Sequence, residues 1–140
     1  MNSGSRFTIA VLLCLVLLST MVAAAPIPQP PNVTFTLVQG LPDSMQVGES
    51  YTVEILVTSD TPYIYSGALP SAYYPGRYVV AAQGDHSRPG TTATLYVTFT
   101  AKDPTAELPD GAAPVSVTAG ARFKGGYLTA QRFDFLVAVP

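Results

Sequence analysis

Val47–Ser59 reads V-G-E-S-Y-T-V-E-I-L-V-T-S, and its spacing decides the fold. Tyr51, Val53, Ile55 and Val57 alternate with Thr52, Glu54, Leu56 and Thr58. Period-two alternation of β-branched and aromatic residues puts one set on a buried face and the other toward solvent, the pattern of a half-buried strand. Such a strand needs others to pack against, so the rest of the chain is read for partners.

Those partners follow in both directions. Asn32–Val38 alternates Val33, Phe35 and Leu37 with Thr34 and Thr36. Thr92–Ala101 sets Ala93, Leu95, Val97 and Phe99 on one face, and Val115–Phe123 does the same with Val115, Val117, Ala119, Ala121 and Phe123. Lys124-Gly125-Gly126-Tyr127 predicts a tight hairpin, because two glycines supply the positive φ such turns need. The last strand, Leu128–Val139, breaks parity between Ala130 and Phe133, so a bulge near Ala130–Arg132 is expected to bring both apolar sets to the core. Tyr78–Gln83 is apolar on both faces, which predicts a central or covered strand. Tyr63-Ile64-Tyr65 fits either a short strand or part of a long loop ending at Gly76. Turn residues separate six or seven strands, the spacing of an all-β antiparallel sandwich. Nothing after the N-terminal segment shows sustained helical periodicity.

Val47-Gly48-Glu49-Ser50-Tyr51-Thr52-Val53 opens a strand after a Pro-Asp turn, and a Gly-Gly hairpin precedes the final strand. On these features the chain resembles a bacterial-type immunoglobulin-like or fibronectin-III-like extracellular domain over roughly residues 32–140. The resemblance implies an immunoglobulin-like sandwich of six to seven strands. Tryptophan is absent and the chain has a single cysteine, so the likeness is to the broad sandwich class rather than to antibody domains.

The N-terminus has the layout of a secretory signal: Met1–Arg6 carries one positive charge, Phe7–Leu18 is apolar, and Val22-Ala23-Ala24 supplies small residues at the exit. Cleavage is expected after Ala24, since a cut after Ala25 would leave Pro26 at the new terminus. The alternative is an uncleaved membrane anchor, because residues 7–25 approach the ~20 apolar residues that span a bilayer. No later segment has the length and apolarity to span one. The expected organisation is therefore a signal peptide (1–24), a proline-rich leader (25–31) and a sandwich (32–140). Location is secreted, surface-associated or periplasmic on this reading. Cleavage removes Cys14, leaving a chain held by its apolar core without disulfides, feasible for a domain that buries roughly two-thirds of its unfolded surface. The leader, A-P-I-P-Q-P-P, reads as an extended tether or as a spacer or donated strand.

A net charge of −2 argues against nucleic acid, whose phosphates require a basic stripe. His86, the only histidine, sits in G-D-H-S-R-P-G. Asp, His and Ser are the types used in nucleophilic catalysis, but that chemistry brings them together from separate segments. Adjacent in a Gly/Pro-rich stretch, they read as a turn, and the chain reads as non-enzymatic with no cofactor. Loop carboxylates Asp43, Asp85, Asp103, Glu107 and Asp110 are the weak calcium candidates, if simple alternation of strands gathers their loops at one pole. Asn32-Val33-Thr34 is a formal glycosylation sequon.

The tyrosines carry more information. Five of eight fall between Tyr63 and Tyr78, interleaved with serine, glycine and alanine, a mixture used by contact loops. Tyr63, Tyr65, Tyr73 and Tyr74 are the expected binding residues, for a protein or glycan partner. The competing expectation is that these rings pack over the sandwich edge and expose only their hydroxyls. Two functions follow: a structural or adhesive module with a tyrosine-rich contact loop, or a subunit of a fibre or assembly joined by edge-strand exchange.

Overall fold

The computed structural model describes residues 29–72 and 76–140. The expected signal segment lies outside the described residues, as do Tyr73 and Tyr74. Seven strands follow in order: β1 (Val33–Gln39), β2 (Ser50–Ala72), β3 (Val79–Ala81), β4 (Asp85–Ser87), β5 (Gly90–Ala101), β6 (Ala112–Phe123) and β7 (Leu128–Ala138). All strand pairs are antiparallel.

The organising strand runs on well past Ser59, so that β2 spans 23 residues and belongs to both layers. Ser50–Thr58 pairs with β5 on one edge, while Val33–Gln39 of β1 runs along the other. From Tyr63 to Ala72, β2 pairs instead with β6, and β4 flanks Ser66–Ala68. One layer is thus β1-β2-β5-β3 and the other β4-β2-β6-β7, joined by a bend at Ser59–Pro62. Asp60 holds that bend. Its N–H donates to the Asn32 carbonyl (3.2 Å), and its Oδ1 accepts from Asn32 N (3.2 Å) and the Thr61 hydroxyl (3.0 Å).

The inward residues of both layers form one core: Val53, Ile55 and Val57; Leu95, Val97 and Phe99; Val115, Val117, Ala119, Ala121 and Phe123; with Phe35, Met45, Val79 and Val137. Beyond the bend, Tyr63 still faces inward, but Ser66 and Ala68 then take over the buried positions. The change of parity is a bulge: Tyr63 pairs with Phe123 and Tyr65 with Arg122, two steps against one. Across the solvent face of the first layer, hydroxyls pair between strands, Thr52 with Thr98 at 2.8 Å and Ser50 with Thr100 at 2.7 Å.

The Gly-Gly hairpin forms as its sequence predicts, with φ of 94° and 89° at Gly125 and Gly126 and Phe123 N donating to the Tyr127 carbonyl. Three expectations are corrected. β6 and β7 pair without interruption from Ala112↔Ala138 to Arg122↔Leu128, so no bulge occurs at Ala130–Arg132. Phe133 and Phe135 pack against the core and Leu128 is left 73% exposed. Scattered apolar side chains on a surface are ordinary, so parity need not be rescued there. β3 is an edge strand pairing only with β5 and not a central one, although it is covered, with Tyr78 and Val79 buried. The Gly84–Gly90 stretch is not simply a turn: Asp85–Ser87 is a strand.

Candidate functional site

The Tyr63–Ala72 half of β2 carries two of the four residues expected to bind, Tyr63 and Tyr65. Tyr63 is not on the surface. Its ring is 1% exposed and meets Phe123 edge to face, with centroids 6.5 Å apart. Tyr65, two residues on and past the bulge, faces outward and is 47% exposed. Its ring leans over Gly67, where an added Cβ would lie 2.7 Å from the tyrosine hydroxyl. It also stacks on His86, the β4 residue directly opposite Gly67, with centroids 6.1 Å apart and planes 14° from parallel. The missing side chain at Gly67 makes room for the tyrosine ring and brings it to the histidine.

The same edge is anchored from beneath. Ser66 is buried and its hydroxyl bonds that of Ser87 in β4. Ser87 also donates to the Arg88 carbonyl at 3.2 Å. Asp85 Oδ1 accepts from His86 N at 2.8 Å, and Oδ2 accepts from Tyr96 N at 2.7 Å. Asp85, His86 and Ser87 therefore do not form a relay. The carboxylate is held by main-chain donors, the imidazole by a phenol ring and the hydroxyl by another serine. This geometry fixes a short strand against a longer one.

Ile64 and Leu69, on the same half of β2, are 47% and 69% exposed. Together with Tyr65 they put large apolar surface on one segment of β2. Leu69 was not among the residues singled out from sequence. The bulge at Ile64–Tyr65 reverses which parity faces outward, and alternation read from Tyr63 onward misassigns it. Two surface depressions, of about 280 and 260 Å³, open at the end of this strand and share Ser71 and Ala72.

The calcium candidates are not gathered. Asp85 stands in β4, its oxygens engaged as above. Asp43 lies beside the C-terminal end of β7, where its carbonyl accepts from Ala138 N at 2.9 Å. Asp103 lies 3.8 Å from Arg77, and the same arginine donates to Glu107 Oε1 at 2.5 Å. Asp110 occupies the turn before β6. Among the described residues no cluster of three or more His, Cys, Asp or Glu side chains forms a metal cage. Asp85 is the one set apart: with Tyr63–Gly67 forming strand and not loop, it pairs with Ala68 along β2, away from the end that holds Asp43 and the β5–β6 connection. Arg77 instead lies over the Tyr78 ring (4.7 Å), and the Tyr78 hydroxyl donates to the same Glu107 oxygen, tying the start of β3 to the β5–β6 connection.

No protein-family model matches the chain, and no curated protein sequence matches it. Solved structures that resemble it at low identity include the following three. Spo0M, a sporulation control protein from Bacillus subtilis, gives a TM-score of 0.44 at 16% identity, covering 81% of this chain and 51% of that one. A native alpha-2-macroglobulin from Escherichia coli, in a structure running from domain MG7 to the C-terminus, gives 0.47 at 14% identity, covering 79% and 17%. A FixG-related protein from Vibrio parahaemolyticus gives 0.38 at 12% identity, covering 79% and 98%. The chain thus spans about half of the first neighbour and a sixth of the second. Its strand order and shared core define an all-β protein with an immunoglobulin-like antiparallel sandwich.

Proposed function

We propose that the protein is a non-enzymatic, extracytoplasmic structural or adhesive module. Its contact surface is the outer side of the Tyr63–Ala72 segment. The observation that carries this reading is the exposed Tyr65 ring, preorganised by its stack on His86, with Ile64 and Leu69 exposed on the same segment of β2. A ring already held in place loses little freedom on binding, and its burial contributes at roughly 25 cal/mol per Å² before ordering costs. The secretory layout of residues 1–24 supports the location. Tyr73 and Tyr74 extend the same chain segment and belong to the proposed surface on sequence grounds.

The test is binding of the purified protein to a glycan array and to a panel of immobilised extracellular proteins. Wild-type binding that falls about tenfold in Tyr65→Ala/Leu69→Ser, at an unchanged thermal midpoint, supports the proposal. Equal binding by the variant overturns the surface. Hydrolase turnover abolished by His86→Ala overturns the non-enzymatic reading.

A second reading is favoured by a separate observation. β7 pairs with β6 along one edge, and among the described residues only Ser44, at Ala138, pairs with the other. An uncovered edge of this length suits a subunit of an extracellular assembly. Donation of β1 to a neighbour is the less favoured route, since Val33–Gln39 is already paired with its own β2.

A further inference from the structure

We propose that β7 is a self-complementary edge joining two copies of this chain into a two-fold dimer, in one register set by Arg132 and Asp134. The inference rests on the assembly reading and gives it a partner, a second copy, and a pairing.

The free edge is defined by the main chain at its C-terminal end. Ala138 N donates to the Asp43 carbonyl and Ala138 O accepts from Met45 N, both at 2.9 Å, so Ala138 turns its polar groups away from β6. Antiparallel pairing alternates this direction residue by residue. Leu136, Asp134, Arg132 and Ala130 therefore also point N–H and C=O outward, and no described strand takes them. Their side chains share the outer face of the layer. Arg132 and Asp134 are about two-thirds exposed and Leu136 is half exposed.

Two copies of such an edge meet antiparallel about a two-fold axis, and outward groups face outward groups only in alternate registers. Centring the axis on Phe133 sets Arg132 opposite Asp134 of the second copy, twice by symmetry, and Leu136 opposite Ala130. All four free residues of each strand are then used. Shifting the axis to Arg132 sets arginine against arginine, and shifting it to Asp134 sets aspartate against aspartate. Opposed unlike charges stabilise a cross-strand pair and like charges oppose it, so one register is selected. Arg132 and Asp134 already bond within the strand, Nε to Oδ1 at 2.7 Å, so both charged groups stand on the outer face that this pairing would continue. Pairing stops at Leu136 because the next outward residue, Ala138, is occupied by the Asp43–Met45 segment. The contact is isologous and closes, giving a dimer rather than a fibre.

The experiment is sedimentation velocity on the full chain, as wild type, Arg132→Asp, Asp134→Arg and the double exchange. It is paired with disulfide trapping in a Cys14→Ala background. The expected result is a wild-type dimer, weakened about tenfold or more by either single reversal and restored by the double exchange. Mixing an Ala130→Cys chain with a Leu136→Cys chain should yield a cross-linked dimer, whereas neither does so alone. Within one chain these positions lie six residues apart on a strand, too far for a disulfide. A dimer indifferent to the reversals and not trapped by the cysteine pair overturns the register while leaving the assembly reading intact. A monomer at every concentration overturns both.

Discussion

Asp85 and Tyr96 link the two layers of the sandwich through one hydrogen bond. Asp85 belongs to β4 in one layer and Tyr96 to β5 in the other, and the carboxylate Oδ2 accepts the Tyr96 N–H at 2.7 Å. The bond sits just past the end of β3, whose ladder covers β5 from Ala101 to Phe99, with one further bond from Ala82 N to the Thr98 carbonyl. A side chain thus continues the capping of an edge that the neighbouring strand has left.

Asp85→Ala should therefore uncap that edge. Its two main-chain donors, Tyr96 N and His86 N, lose a charged acceptor, at a cost of about 1–3 kcal/mol in urea unfolding. Amide exchange at Tyr96 should accelerate by more than the global loss explains. Unchanged protection of that amide would show that another group holds the edge.

Tyr63 shows the opposite balance. Its hydroxyl is buried with no hydrogen-bond partner among the described residues, while its ring packs on Phe123 at the corner where β2 changes layer. Tyr63→Phe should leave stability unchanged or raise it by up to about 1 kcal/mol, since only an unpaired polar group is removed. Tyr63→Ala should cost about 3–5 kcal/mol by opening a cavity at the bend. Denaturant midpoints of the two variants, moving in different directions or by very different amounts, check this.

These residues also show what the sequence disclosed. Alternation identified the inward sets of β5, of β6 and of the first half of β2, because a long half-buried strand imposes period two on every residue. It did not reveal that β2 continues, since Ser59-Asp60-Thr61-Pro62 has the composition of a turn. Here that chemistry bends a strand instead of ending it, with Asp60 bonded back to Asn32. The bulge at Ile64–Tyr65 then separated Tyr63, a core residue, from Tyr65, a surface one, although the two look equivalent in sequence. Asp85–Ser87 was hidden for a related reason. A three-residue strand between glycines leaves no periodicity to detect, and its partner lies about twenty residues away.

Gly84 tests whether β4 needs its close approach to β2. A Cβ at this position would lie 2.5 Å from the Ala68 carbonyl oxygen, a backbone atom that cannot swing aside. Gly84→Ala should push β4 outward, at about 1–3 kcal/mol. It should also part the Tyr65–His86 stack, seen as loss of the ring-current shift on the His86 imidazole protons. A shift that persists in a destabilised variant would mean that the stack forms independently of the strand pairing.

Thr105 makes the most demanding prediction, because one buried hydroxyl serves two main-chain groups. It is fully buried in the β5–β6 connection, where Oγ1 donates to the Gly111 carbonyl at 2.6 Å and accepts from Val139 N at 2.8 Å. Its own N–H donates to the Val139 carbonyl at 2.9 Å, so the residue fastens the last residues of the chain to a loop that has no strand to hold it. Thr105→Val keeps the shape but leaves Val139 N and the Gly111 carbonyl without that partner, at a cost of about 2–3 kcal/mol. Thr105→Ser keeps both bonds and loses one methyl, at about 1 kcal/mol. The ordering is the informative part: valine, the better apolar isostere, should be the more damaging replacement. Equal urea midpoints for the two variants would show that packing, and not the hydroxyl, secures this end of the sandwich.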